Sequence, residues 1–475
     1  MPKTGLTVIE GAMAVSDLSP EFLHQMGSRF GARLSTAPAL REQHSGTEAH
    51  HHAALPDAVV FAETTEEVAE IVKLCAAYHV PVIAFGAGTS LEGHLSAEQG
   101  GVSIDLSRMN QVLRVSDTDL DCTVQSGVTR EQLNQELRDK GLFFPIDPGA
   151  NATIGGMVST RASGTNAVRY GTMRENTMAL KVVLPDGQII HTGSRARKSS
   201  AGYDLTRLFT GSEGTLGIIT EVTLRLYGIP EVISAAVCSF ADIEQAVDTA
   251  IRVIQLGVPV ARMELMDRDL IKAVNAYSGL SLAEKDTLAF EFHGSAVSVK
   301  DQISTVSEIV AEFEGNDFVW AETAEARHKL WEARHKSYYA GLALRPGAKG
   351  WSSDVCVPIS ELSGCIRHTR KLLETCSVPG LLVGHVGDGN YHVSFIVDPS
   401  SQEELVEVAA INKQIVHYAL SVGGTCTGEH GVGIGKVAYM REEHGAAIEL
   451  MARLKKAIDP DGIMNPGKIL PDLLV

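Results

Sequence analysis

The 475-residue chain has no closely paired cysteines. Its seven, Cys75, Cys122, Cys238, Cys356, Cys365, Cys376 and Cys426, are scattered without a C-x-x-C spacing. That pattern excludes iron–sulfur and c-type haem signatures and points to reduced thiols in a reducing compartment. No run of 18 apolar residues occurs, so the sequence offers no membrane-spanning helix. Positive charge is in the minority. The 41 basic and 58 acidic residues give a formal charge of -17, the wrong sign for binding nucleic acid or an anionic membrane surface. The N-terminal stretch lacks the basic-then-apolar order of a secretory signal. It also lacks the character of a transit peptide, because Glu10, Asp17 and Glu21 precede the first arginine, Arg29. A cytoplasmic protein is expected, or a mitochondrial one if the chain is eukaryotic and already processed.

Two nucleotide-binding fingerprints are missing as well. Strand-like Val80 to Phe85 opens into Gly86-Ala87-Gly88-Thr89-Ser90-Leu91-Glu92-Gly93. The Rossmann pattern needs glycine where Leu91 stands, and a Walker loop would end in Gly-Lys-Ser/Thr. What is present is glycine in four dense stretches, at 86–93, 149–156, 161–171 and 211–217. A loop of small residues leaving a strand turns successive N–H groups toward an anion. Glycine alone lets backbone approach a ligand so closely. Four such loops within about 135 residues imply a chain wrapped round a large phosphate-bearing ligand.

The texture changes at Pro230. Strand-like Val232 to Phe240, 259–266 and 287–293 alternate with helical patterns near 243–254, 297–313, 323–343 and 401–420. This reads as an α+β unit with an antiparallel sheet. In the 323–343 helix, Trp331, Arg334 and Tyr338 fall on one face. Late in the chain, Gly384-His385-Val386-Gly387-Asp388-Gly389-Asn390-Tyr391-His392 reads as a hairpin turning at Asp388-Gly389, with His385 opposite His392. A four-residue loop of Gly387 to Asn390 keeps that register. Two imidazoles so placed can share one metal ion. In the glycine-rich loop 423–433, Glu429 and His430 are neighbours, so one can face the metal while the other faces elsewhere. His44, His50, His51 and His52 are expected in a solvated loop.

These motifs converge on a family. The loop 85–93, Asp147 to Gly156, Ala162 to Asn166 and Gly211 to Thr220 resemble the FAD domain of the vanillyl-alcohol oxidase/PCMH flavoprotein superfamily. The histidine hairpin, Glu429-His430 and Asn465-Pro466-Gly467-Lys468 resemble its metal-dependent branch, the FAD-linked D-2-hydroxyacid dehydrogenases. Arg345 to Gly350, Ser353 to Pro358 and Arg41 to His44 are similar to the subgroup that oxidises D-lactate with a cytochrome acceptor. D-2-hydroxyglutarate dehydrogenase and the FAD subunit of glycolate oxidase are the alternatives. The likeness runs from about residue 35 to 472.

The resemblance implies an α+β fold in three parts. A PCMH-type FAD-binding domain spans 1–228, a substrate- and metal-binding cap 229–440, and a C-terminal segment, 441–475, returns to the FAD domain. It places the FAD pyrophosphate on Gly86, Ala87, Gly88, Thr89 and Ser90. Pro148, Gly149, Thr153, Gly155, Gly156, Ser163, Gly164, Glu213, Gly217, Ile219 and Asn465 complete the cofactor site. FAD is expected to be non-covalent, since 85–93 has no histidine or cysteine to tether it. His385, His392 and Glu429 become ligands of one zinc or manganese ion, His430 the base and Arg334 the substrate-carboxylate partner. Tyr338 and Lys349 join the substrate pocket, and Tyr338 departs from the tryptophan usual in D-lactate enzymes. Electrons go to a separate acceptor, a cytochrome, a quinone or an electron-transfer flavoprotein. The oligomeric state is left open between monomer and homodimer. A flavin-free metal hydrolase and a flavoprotein that only relays electrons are the rival classes.

Overall fold

The computed structural model describes residues 18–46, 50, 51 and 53–471. His52, and the Glu10 and Asp17 that counted against a transit peptide, lie outside the described residues. The N-terminal half begins with a four-stranded sheet. Its order is Leu34–Ser35, Ala58–Phe61, Val102–Asp105 and Val82–Phe85, the last three mutually parallel. Thr65–Ala77 forms the expected helix. Thr64 caps it by accepting from Glu67 N–H, and Val68, Ile71, Val72 and Cys75 are buried at helical spacing. A five-stranded antiparallel sheet follows, in the order Val112–Ser116, Asp121–Gln125, Ile218–Arg225, Thr177–Val183 and Ile189–His191. Of the glycine loops, 86–93 follows Val82–Phe85 and 211–217 precedes Ile218–Arg225, while 149–156 and 161–171 lead into and between short helices.

The second unit is an eight-stranded sheet, antiparallel throughout. It runs Asn316–Ala321, Val232–Phe240, Asp286–Gly294, Val260–Met266, Gly380–His385, Asn390–Val397 and Lys349–Ser352, with Val355–Cys356 pairing beside it on Asn390–Val397. One face carries Ile243–Gln255, Ala296–Glu312, Leu362–Leu373 and Gln402–Ser421, burying a core that includes Phe290, Phe292, Tyr391 and Phe395. The other packs against Arg268–Ser278 and Ala324–Ala343 through Leu270, Ile271, Trp331 and Leu381.

The chain end comes back to the first sheet. Val82 N–H donates to Ile463 O and Asn465 N–H to Val82 O, both at 2.8 Å. No helix among the described residues is long and apolar enough to cross a membrane.

Candidate functional site

The histidine hairpin is slipped by two residues from its expected register. His385 pairs with Asn390, Gly384 with Tyr391 and Val383 with His392, so the loop is Val386 to Gly389. A type I′ turn needs two residues with positive φ, and only Gly389, at +78°, has it. Val386 is drawn into the loop because its side chain is fully buried in the cap core. A slip of two keeps every side chain on its face, whereas a slip of one would not. His385 and His392 are therefore diagonal rather than opposed, with ring centroids 5.5 Å apart.

Glu429 reaches these two rings from its glycine-rich loop. Its Oε1 lies 3.2 Å from His385 Nε2 and 3.4 Å from His392 Nε2. Glu429 Oε2 and His392 Nε2 are buried, and neither makes a hydrogen bond among the described residues. Two histidines, one carboxylate and unsatisfied lone pairs turned inward are a donor set that fits a divalent cation. Asp354, His392 and His430 form a second group of ligand type. There Asp354 is already saturated. It accepts from Glu429 N–H at 3.0 Å, His430 N–H at 2.9 Å, Thr427 Oγ1 at 2.7 Å and Asn390 Nδ2 at 2.8 Å. Its work is to hold the loop, so the first group is the better cation site.

His430 also faces the cavity, stacked on His392 at 4.9 Å. Its Nδ1 is 3.8 Å from Glu92, whose other oxygen is 3.3 Å from His51 Nε2. His44, His50 and His51 thus leave the expected solvated loop. His51 backs the site, His50 stacks on Trp351 at 3.9 Å, and His44 is buried with Nε2 2.8 Å from Asp105.

The electrostatics follow from burial among opposite charges. Burial opposes a charged His385, yet Glu264 and Glu429 lift its pKa well above the ordinary value. Burial likewise opposes ionised Glu429, yet His385 and His392 hold its carboxyl well below the usual range. For His430, Asp354 and Glu92 outweigh burial and raise the pKa. A cation entering the site takes the place of such protons.

Arg334 stands in the same cavity with Trp331 and Tyr338, as their spacing on one helix predicts. Its Nε donates to Glu264 Oε2 at 2.8 Å. Lys349 differs from expectation. It begins an edge strand, its side chain is exposed, and it does not line the cavity.

All the residues expected to hold FAD line the other side of this ≈ 830 Å³ cavity. Among the described residues, the N–H groups of Ala87, Gly88, Thr89 and Ser90 donate to no protein acceptor, leaving them for phosphate oxygens. A Cβ on Gly86 would lie 2.2 Å from Thr153 Oγ1, and Gly88 holds φ +73°. The walls therefore fit a dinucleotide. Glu213 lines the cavity too, but its carboxylate accepts from Val432 N–H at 2.7 Å and Gly433 N–H at 2.8 Å. That side chain ties the Glu429 loop to the glycine loops.

Sequence reasoning missed Glu264, and quoted Glu92 and Asp354 without a role. Glu264 had a signal: it is a charge inside Val260–Met266, an otherwise largely apolar strand.

Comparison with known proteins supports the fold and the flavin-binding class. A family model for the C-terminal domain of FAD linked oxidases matches residues 229–469, and one for an FAD binding domain matches 56–193. The chain is 52% identical to a probable mitochondrial D-lactate dehydrogenase of Danio rerio, over 92% of this chain and 89% of that protein. It is 46% identical to the mitochondrial D-lactate dehydrogenase (cytochrome) of Arabidopsis thaliana, over 95% and 80%. A glycolate oxidase subunit of Bacillus subtilis is 34% identical, over 87% and 89%. Among solved structures, p-cresol methylhydroxylase superposes with a TM-score of 0.80 at 17% identity, over 96% of this chain and 98% of that one. A 4-ethylphenol oxidase from Gulosibacter chungangensis gives 0.79 at 17%, over 97% and 99%. These two share the fold, the PCMH-type architecture expected from the glycine loops. The chain belongs to the FAD-linked oxidase family, in the branch of the vanillyl-alcohol oxidase/PCMH flavoproteins that contains the D-lactate dehydrogenases.

Proposed function

We propose that this chain oxidises D-lactate, or a close small D-2-hydroxyacid, to the 2-oxoacid and passes the electrons to a separate acceptor. One observation carries the reading. His385, His392, Glu429, His430 and Arg334 line the cavity opposite the glycine cradle. FAD held on the glycine cradle would supply the hydride acceptor, and a divalent cation held by His385, His392 and Glu429 would supply the charge that lowers the hydroxyl pKa.

The remaining steps belong to the chain's own side chains. Arg334 holds the substrate carboxylate through its terminal nitrogens, since its Nε is committed to Glu264. His430 takes the hydroxyl proton, with Glu92 behind its Nδ1. Carboxylate, hydroxyl and Cα hydrogen are then fixed, so only one hand presents hydrogen to the flavin. Leu270, Leu381 and Val383 make the nearby wall apolar. With Lys349 outside, Arg262 is a further cation there, and Asp147 at 3.3 Å and Glu291 at 3.6 Å already balance it. That favours a small side chain over the second carboxylate of 2-hydroxyglutarate.

The test is anaerobic mixing of purified protein with D-lactate, L-lactate, glycolate, D-2-hydroxybutyrate and D-2-hydroxyglutarate while flavin absorbance is followed. D-lactate is expected to bleach the flavin fastest. A colourless protein, or faster bleaching by L-lactate, overturns the reading.

A further inference from the structure

Glu264 is fully buried at the centre of the cap sheet and is spent on two donors. Oε1 lies 2.6 Å from His385 Nδ1, and Oε2 accepts from Arg334 Nε at 2.8 Å. Resting on the function proposed above, we infer that Glu264 is a positioning residue that locks the cation site and the carboxylate clamp into one arrangement. Arginine has no acceptor, so Oε2 must face a donor there. With Oε1 accepting from Nδ1–H, the other ring nitrogen, Nε2, is turned toward Glu429 Oε1 at 3.2 Å and keeps its lone pair for a cation. Committing Arg334 through Nε aims the terminal nitrogens, of which Nη1 among the described residues reaches only Ser337 Oγ at 3.4 Å, at the cavity. Cation and substrate carboxylate should therefore bind cooperatively, each ordering a partner of the same buried carboxylate.

The geometry makes Glu264→Gln a selective probe. Its amide oxygen can satisfy Arg334 Nε, but its NH₂ group then meets His385 Nδ1. His385 must accept there, which moves its proton to Nε2 and blocks the lone pair that binds the cation. The flipped amide sets two donors against each other at Arg334 instead. Either way one half of the device fails while the volume hardly changes.

The experiment uses the FAD-loaded enzyme. Zinc and manganese affinity is measured by chelator competition, and bound metal by elemental analysis. KM for D-lactate is measured with metal in excess. E264Q is expected to weaken metal binding by roughly 10-fold or more, as outer-shell partners of metal ligands do, with FAD content unchanged. Excess metal should restore much of kcat and leave KM raised. Should E264Q fold poorly, the double variant E264M/R334M removes both the carboxylate and the guanidinium it would strand, leaves His385 Nδ1 without its acceptor, and should still bind metal weakly. Wild-type metal affinity and KM in E264Q, or wild-type metal affinity in the double variant, overturn the inference and leave the proposed function intact. A wild-type enzyme that turns over D-lactate without any metal overturns both.

Discussion

At the scale of single residues, the cavity has two halves that fail separately. Gly88 sits at φ +73° with ring atoms of Phe85 3.0 Å from where a Cβ would lie. A branched side chain meets backbone strain and crowds the space meant for phosphate. Gly88→Val should therefore give folded protein with much less flavin, read from the ratio of flavin to protein absorbance; full occupancy would place the pyrophosphate elsewhere. His385 and His392 lie in the cap, across the cavity from those loops. His385→Ala and His392→Ala should each cut kcat by at least ~10³-fold, the scale of losing a group that stabilises transition-state charge, while FAD stays bound. Elemental analysis of the same preparations should show the metal gone. An active, metal-free variant would remove the cation from the mechanism.

Elements set where those residues stand, and their own stability can be tested by pH. The helix Thr65–Ala77 is anchored by a bidentate pair, Arg33 to Glu67 at 2.7 Å and 2.6 Å. The Arg33 guanidinium beside Glu67 holds its carboxyl below the ordinary value. A folded-state pKa below the unfolded one stabilises the protein above the unfolded value, and that stability is lost as pH falls through the folded one. Glu67→Gln should accordingly cost about 1 kcal/mol at pH 7, with wild type and variant converging in acid. Denaturant melts at pH 7 and near pH 3 check it, and a constant difference would refute the ion pair as the cause. The hairpin teaches a related lesson about elements. Asp388-Gly389 marked a turn in the right place, but burial of Val386 and the single positive φ at Gly389 chose the register. The face of His385 and His392 was legible because face depends only on parity; their spacing was not, because it depends on what the loop packs against.

For the whole molecule, the proposed function sends electrons from reduced flavin to a separate acceptor. Turnover with an artificial dye should be fast and peroxide formation with D-lactate slow. Rapid peroxide release would make the protein an oxidase. Sequence alone determined the two kinds of chain, glycine-looped before Pro230 and periodic after it, because turns and amphipathic faces are local properties. It also determined which ligand types were on offer: His385, His392, Glu429, His430 and Arg334 all reach one cavity. Tertiary structure decided the rest. Glu264, 121 residues from His385 and 70 from Arg334, meets both only because three elements pack together. Asp354 and Glu213 fasten the Glu429 loop from 75 and 219 residues away. Lys349 was placed in the pocket from its motif, but its strand turns it outward. A buried charge must find its partner wherever the fold brings one, and the distance along the chain carries no record of that meeting.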